Sequence, residues 1–246
     1  MSILNDAKLE ALLDALHAQS EGQSGAIDAY FARRIKEGTL SWDGMDAETT
    51  TFFSDKMVAL EKDKAEFCYA LCRALGARCI VECGTSFGVS TLYLAAAVRD
   101  NLASSSEAVG DKRIASGSEA IGDKKVGGQV IATEWEASKA KIARQNFAAA
   151  GLAQFIDLRQ GDLKDTLKVI EGPVDFVLLD IWAEAVMPAI THIAPQLRQG
   201  AVIIADNTET ARRGYENYFR FIADPKNRLR TLTLPFAGGL EMTVRL

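Results

Sequence analysis

The 246-residue chain is 48% hydrophobic and 25% charged with a formal net charge of −5, the profile of an ordinary globular chain able to bury a full core. That acidic balance, with no basic stripe, argues against a nucleic-acid partner. No apolar run reaches the length of a membrane span, and the opening Met-Ser-Ile-Leu-Asn-Asp lacks a signal peptide's basic and apolar regions, so no membrane partner and a cytoplasmic location are expected.

In chain order, residues 1–40 read as two helices, with Leu9, Leu12, Leu13 and Leu16, then Ile27, Tyr30, Phe31 and Ile35, at helical spacing and with Gly22 and Gly25 between them. A loop at 38–45 follows, then one or two helices over 48–75 closed by Gly76. This segment, taken as a helical cap over residues 1–66, carries no recognisable chemistry; covering the sheet, closing over a site or forming a dimer surface are its options. The four cysteines, Cys68, Cys72, Cys79 and Cys83, have the spacing of buried small hydrophobes rather than of a zinc site.

From Ala77 the pattern alternates. Strands are predicted at 77–83, 129–134, 155–160, 174–180 and 201–206, with helices at 86–99, 137–150, 163–170, 184–198 and 208–223. Short apolar strands alternating with helices imply a parallel sheet covered on both faces. Segments 229–236 and 240–246 flank Ala-Gly-Gly as a hairpin, so the last of the seven strands should run antiparallel. The near-repeat of 106–117 from Ser118 onward marks 101–128 as an inserted loop or small hairpin.

The chain is organised around residues 80–90, Ile-Val-Glu-Cys-Gly-Thr-Ser-Phe-Gly-Val-Ser: an apolar strand ending in an acid, a glycine turn and an immediate helix. Gly84 and Gly88 allow a sharp turn with close backbone approach to a ligand, and the new helix offers it free N–H groups. Glu134, ending the second strand, lies 50 residues past Gly84; removing the 28-residue insertion leaves 22, near the spacing at which an acid accepts hydrogen bonds from ribose hydroxyls. Glu82, Glu134, Asp162, Asp180 and Asp206 fall at or just past five strand ends and so ring one crevice, although Asp162, Asp180 and Asp206 would serve equally as helix caps.

These motifs resemble class I S-adenosylmethionine-dependent methyltransferases, in particular bacterial O-methyltransferases of the catechol O-methyltransferase type, over roughly residues 67–246. The resemblance implies a Rossmann-like, doubly wound α/β fold with a mainly parallel seven-stranded sheet and an S-adenosylmethionine cofactor. It places Glu82, Gly84, Ser86, Gly88 and Ser90 at the methionine end, Glu134 on the ribose, Asp162 and Leu163 at the adenine edge, and Asp180 on the methionine amine. It further implies a Mg²⁺ held by Asp180, Asp206 and Asn207, hard oxygen donors suited to that ion, and makes Asp180 the catalytic candidate. The acceptor would be a small molecule, an aromatic hydroxyl among the options, and by analogy a homodimer is one assembly open to the chain.

One departure is plain. In the catechol enzymes Asp-x-Trp is followed by a lysine acting as general base, whereas Asp180-Ile181-Trp182 is followed here by Ala183, so no base is assigned; Glu184 would point elsewhere on its helix. Two alternatives stay open at the level of sequence. A nicotinamide-dependent oxidoreductase would also use a glycine turn and a ribose acid, though the three residues between Gly84 and Gly88 do not match its fingerprint. A cofactor-binding module without turnover is kept alive by Ala183. Trp42, Trp182, Tyr215, Tyr218 and Phe236 are either pocket walls or ordinary core.

Overall fold

The computed structural model describes residues 3–40, 44–109 and 127–246. Trp42 and most of the proposed insertion, residues 110–126, lie outside them.

Helices α1 (Ala7–Glu21), α2 (Ser24–Glu37), α3 (Ala47–Phe53) and α4 (Lys62–Leu75) precede the sheet. Gly22 caps α1, but Gly25 sits inside the first turn of α2 rather than between helices. Gly76 ends α4 in the left-handed conformation, φ +59°, as expected of a glycine stop. The alternating part runs β1 (Cys79–Cys83), α5 (Val89–Val109), β2 (Gln129–Glu134), α6 (Ala137–Ala150), β3 (Ile156–Gln160), α7 (Leu163–Thr166), β4 (Val174–Leu179), α8 (Ala183–Ile193), β5 (Leu197–Asp206), α9 (Glu216–Ala223), β6 (Leu229–Leu234) and β7 (Leu240–Arg245).

The seven strands lie in the order β3-β2-β1-β4-β5-β7-β6, parallel except for β7, which runs antiparallel to both its neighbours. The chain reverses its direction of winding between β1 and β4. In open α/β sheets ligands bind at that reversal, beyond the carboxyl ends of the strands.

Strand alternation divides the core in two. Ile80, Val130, Ala132, Phe176, Leu178, Val202 and Ile204 pack with α1, α4 and α5 on one face. Val81, Ile131, Val177, Leu179, Ile203 and Ala205 pack with α8 and α9 on the other. Residues Leu92 to Val98 of α5 are buried all round, Tyr93 included, because this helix is sandwiched between the sheet and α1 and α4. The N-terminal leucines Leu9, Leu13 and Leu16 belong to the same cluster as the sheet, so this part of the cap shares its core.

Several predicted boundaries move. The stretch 101–109 is not loop but the continuation of α5, and Asn101, placed at the start of the insertion, is a buried structural residue. Its amide Nδ2 donates to the carbonyls of Cys72 and Ala77 at 3.1 and 2.8 Å, fixing the turn between α4 and β1. The helix predicted at 184–198 stops at Ile193; a short 3-10 turn containing Pro195 leads straight into β5, which therefore begins at Leu197. Residues 208–215 form turns instead of helix, since the N–H groups of Thr208, Glu209 and Thr210 donate to Gly238 and Gly239 carbonyls in the β6–β7 turn. Helix α7 likewise closes at Thr166, short of the predicted 170. Cys68, Cys72 and Cys83 are buried free thiols, and half-buried Cys79 donates its Sγ–H to the Glu171 carbonyl at 3.5 Å.

Replacing Asn101 with alanine should remove the side-chain donor from the Ala77 carbonyl, while the Cys72 carbonyl keeps the Ala77 N–H. A loss of about 1–3 kcal/mol in denaturant unfolding is expected, with unchanged secondary structure; no change in the midpoint would show that this amide does not hold the β1 entry.

Candidate active site

Register carries the strand ends to one level. Cys83 pairs with Thr133 and with Leu179, and Leu179 pairs with Ala205. Glu82, Glu134, Asp180 and Asp206 all have the parity of the face packed by α4 and α5, so their carboxylates gather on that side of the crevice.

The loop between β1 and α5 is set by backbone constraints. Gly84 has φ +99°, and a Cβ there would stand 1.9 Å from the carbonyl oxygen of Asp180, so no other residue fits. Both Gly84 and Thr85 donate their N–H to the carbonyl of Thr133, while Asp180 donates its own N–H to the carbonyl of Cys83. Gly88 has a different role: a Cβ would lie 2.4 Å from Cε1 of Phe147, so this glycine admits helix α6. Ser86 takes the left-handed conformation, φ +49°, uncommon for a serine. Its N–H donates to Oε2 of Glu134 at 2.7 Å, and Glu136 N–H donates to Oε1 at 2.8 Å. Glu134 thus braces the loop while each oxygen keeps a lone pair. Burial raises its pKa, against those two N–H groups and the charge of Lys139.

Glu82 is fully buried. Its Oε2 accepts from the hydroxyls of Thr85, at 3.2 Å, and Thr91. Burial nonetheless pushes its carboxyl up to about 7. Oε1 of Glu82 and Oγ of Ser86 are buried without any hydrogen-bond partner among the described residues. Buried polar atoms are seldom left unpaired, so this pair marks the loop as shaped for a polar ligand.

Asp162 caps α7 by accepting from Lys164 N–H at 2.9 Å, with Leu163 the first residue of that helix. The Asp180 carboxylate takes no hydrogen bond or ion pair among the described residues. Burial, then repulsion from Asp206, Glu82 and Glu61, raises its pKa well above the ordinary value, with Lys64 opposing.

Two of the three implied metal ligands are otherwise engaged. Asp206, 3% exposed, accepts from Nζ of Lys64 on Oδ1 at 2.7 Å and from Nδ2 of Asn207 on Oδ2 at 2.9 Å. Asn207, in the left-handed conformation at φ +58°, turns its Oδ1 toward Gly238, 2.7 Å from the place of a Cβ there. Among the described residues no cluster of three or more His, Cys, Asp or Glu is arranged to hold a metal ion. Of the three residues, only the Asp180 side chain is without a hydrogen-bond partner among the described residues, while Asp206 already holds a cationic side chain.

Lys64 is the residue that the sequence reading missed. It is wholly buried, and its ammonium also donates to Oε2 of Glu61 at 2.9 Å. Burial opposes its charge, but the hydrogen bonds to Asp206 and Glu61 outweigh that and raise its pKa. The available signal was position: Lys64 lies four and eight residues before Cys68 and Cys72, in line with the buried stripe of α4.

The cap also reaches the end of β4. The Phe53 and Trp182 rings meet edge-on with centroids 5.4 Å apart, and Met45 N–H donates to Oε1 of Glu184 at 3.3 Å. Trp182 is 36% exposed, whereas Tyr215 and Tyr218 are core residues under β5. Phe236 is half-buried against Phe67, with centroids 5.5 Å apart.

A methyltransferase-domain family model, Methyltransf_24, matches residues 81–208, from the second half of β1 to just past β5. The chain belongs to that family. This bears out the resemblance drawn from the glycine loop and strand ends, and removes the nicotinamide alternative. A curated relative, the catechol O-methyltransferase of Mycobacterium tuberculosis, is 28% identical over 151 residues, covering 61% of this chain and 57% of that protein. The chain thus spans little more than half the length of that relative. Among solved structures, an O-methyltransferase from Bacillus cereus in complex with SAH superposes with a TM-score of 0.63 at 23% identity, covering 81% of this chain and 88% of the other. TomG of Streptomyces achromogenes, an O-methyltransferase involved in tomaymycin synthesis and solved with SAM, gives 0.60 at 20% identity over 89% and 96%. At these identities the neighbours establish the fold.

The raised Glu82 pKa has a consequence for stability. Folding holds a proton that the unfolded chain releases near its ordinary value of 4.5, so the contribution is complete below 4.5 and is lost as pH rises to about 7. The ligand-free protein should lose about 3 kcal/mol across that window from this group. Glu82→Gln should flatten that part of the melting-temperature profile; an identical slope in the variant would refute the assignment.

Proposed function

We propose that the chain transfers a methyl group from S-adenosylmethionine to a hydroxyl oxygen of a small-molecule acceptor. The observation that carries this reading is the pair of unpartnered buried atoms, Glu82 Oε1 and Ser86 Oγ, in the glycine loop at the sheet's switch point. In a methyltransferase-domain chain, that is a cradle for the polar end of the methyl donor.

In this reading, Gly84 lets the loop close on β4, and Glu82, Ser86 and Ser90 take the methionine end, with the unpaired Asp180 carboxylate near its amine. Glu134 receives the ribose hydroxyls on its remaining lone pairs, and Asp162 and Leu163 border the adenine. The bound donor supplies an electrophilic sulfonium methyl, so that a C–O bond forms as the C–S bond breaks and its electron pair returns to sulfur. What the chain itself contributes is alignment of the two reactants in a site that excludes water. Phe53 and Trp182 are placed to cover the acceptor side, which suits a flat apolar molecule bearing the hydroxyl. Ala183 offers no base, and the proton leaves to solvent or to a crevice carboxylate.

Calorimetric titration with S-adenosylmethionine, beside an NAD control, tests the donor, and labelled methyl incorporation into a panel of hydroxylated aromatics tests the reaction. Saturable donor binding with no NAD heat is expected; the reverse would sink the proposal. Glu134→Ala should weaken donor binding by about 1.5–3 kcal/mol, a ten- to hundredfold loss. An unchanged affinity would remove Glu134 from the ribose.

A further inference from the structure

We propose that Lys64 is the resident cation of this crevice, a tethered ammonium seated on Asp206 where the resemblance implies a divalent metal.

Four observations converge on it. The Lys64 ammonium lies 2.7 Å from Asp206 Oδ1, and both side chains are buried, at 1% and 3% exposure. The second oxygen of Asp206 accepts from the Asn207 amide, so each oxygen already carries a donor and the ammonium occupies the position a cation would take on Oδ1. The Asn207 oxygen faces the β6–β7 turn instead of the crevice. Glu61, on the residue before α4, holds the same ammonium at 2.9 Å and so fixes it from the solvent side.

The energetics favour retention. Both charges have already been desolvated by folding, and removal of one partner leaves the other buried and unpaired. Mg²⁺ would have to displace the ammonium, strand it in the apolar stripe of α4 beside Cys68 and Cys72, and shed part of its own water shell. The tethered charge has no such cost, because α4 already packs against α5 in the core. Lys64 is therefore a positioning residue. It orients Asp206 and sets the local potential at the acceptor side of the crevice, so the site works without a divalent ion. The third N–H of the ammonium has no partner among the described residues and is available to an oxygen.

The inference stands apart from the proposed reaction, since metal occupancy is measured without turnover. Mn²⁺, which reports on Mg²⁺ sites, would be titrated into the full-length protein and followed by electron paramagnetic resonance. The wild-type chain should show no saturable one-to-one site, Lys64→Met should gain one, and Lys64→Arg should behave as wild type. Saturable stoichiometric Mn²⁺ binding by the wild-type chain overturns the proposal, and so does a folded Lys64→Met that gains no site. Should Lys64→Met fail to fold, the wild-type and Lys64→Arg titrations decide. Donor calorimetry with and without chelator runs beside them: equal affinity is expected, and an affinity lost on chelation also counts against the proposal. Absence of donor binding under both conditions would instead strike the proposed function and leave the Mn²⁺ result intact.

Discussion

The structure turns on the contact between the glycine loop and the end of β4. The Asp180 carbonyl lies where a Cβ on residue 84 would stand, so the loop and the strand can meet only through glycine. That contact brings Asp180 N–H onto the Cys83 carbonyl and closes the gap between β1 and β4 at the switch point. With the gap closed, Ser86 is driven into the left-handed region and its N–H is caught by Glu134 on the next strand. One steric constraint therefore fixes three strand ends, and it leaves Glu82 Oε1 and Ser86 Oγ buried without partners.

Parity is what makes the acids a site. A parallel sheet in register puts side chains of equal parity on one face, and Glu82, Glu134, Asp180 and Asp206 share it. The same face receives α4 and α5, so the acids meet whatever those helices present. Helix α5 presents Thr91, which binds Glu82; helix α4 presents Lys64, which binds Asp206. The cap before the sheet is accordingly part of the crevice chemistry, although it lies outside the stretch matched to the family.

Much of this was legible in the chain because it is local. Gly76 and Gly151 stop α4 and α6 as left-handed caps, and the strand ends fall within a residue of their predicted places because apolar runs give way there to Glu82, Glu134, Asp180 and Asp206. What could not be read is tertiary. Residues 208–215 have helical composition but surrender their N–H groups to the β6–β7 turn. The near-repeat that marks an insertion starts at 106, and α5 simply continues through Asn101, whose role depends on two carbonyls some 24 and 29 residues away. The metal reading failed to anticipate its competitor for a similar reason: Lys64 and Asp206 are 142 positions apart.

The absence of a lysine after Trp182 and the presence of one at Lys64 bear on the same place. In the catechol pattern the cationic side chain follows β4 and a metal sits on β5. Here Ala183 starts α8, and the only ammonium hydrogen-bonded to Asp206 among the described residues comes from α4. Buried Glu82 and Asp206 and half-buried Asp180 would be costly as three free charges in one crevice. Burial raises the pKa of all three, and Asp206 alone is also ion-paired, with Lys64 opposing its shift. On the proposal that Lys64 is the resident cation, the charge at the end of β5 is balanced by the fold itself. In the proposed reaction, the acceptor would then meet a site whose charge is set by the Lys64–Asp206 pair and whose cover is the Phe53–Trp182 contact.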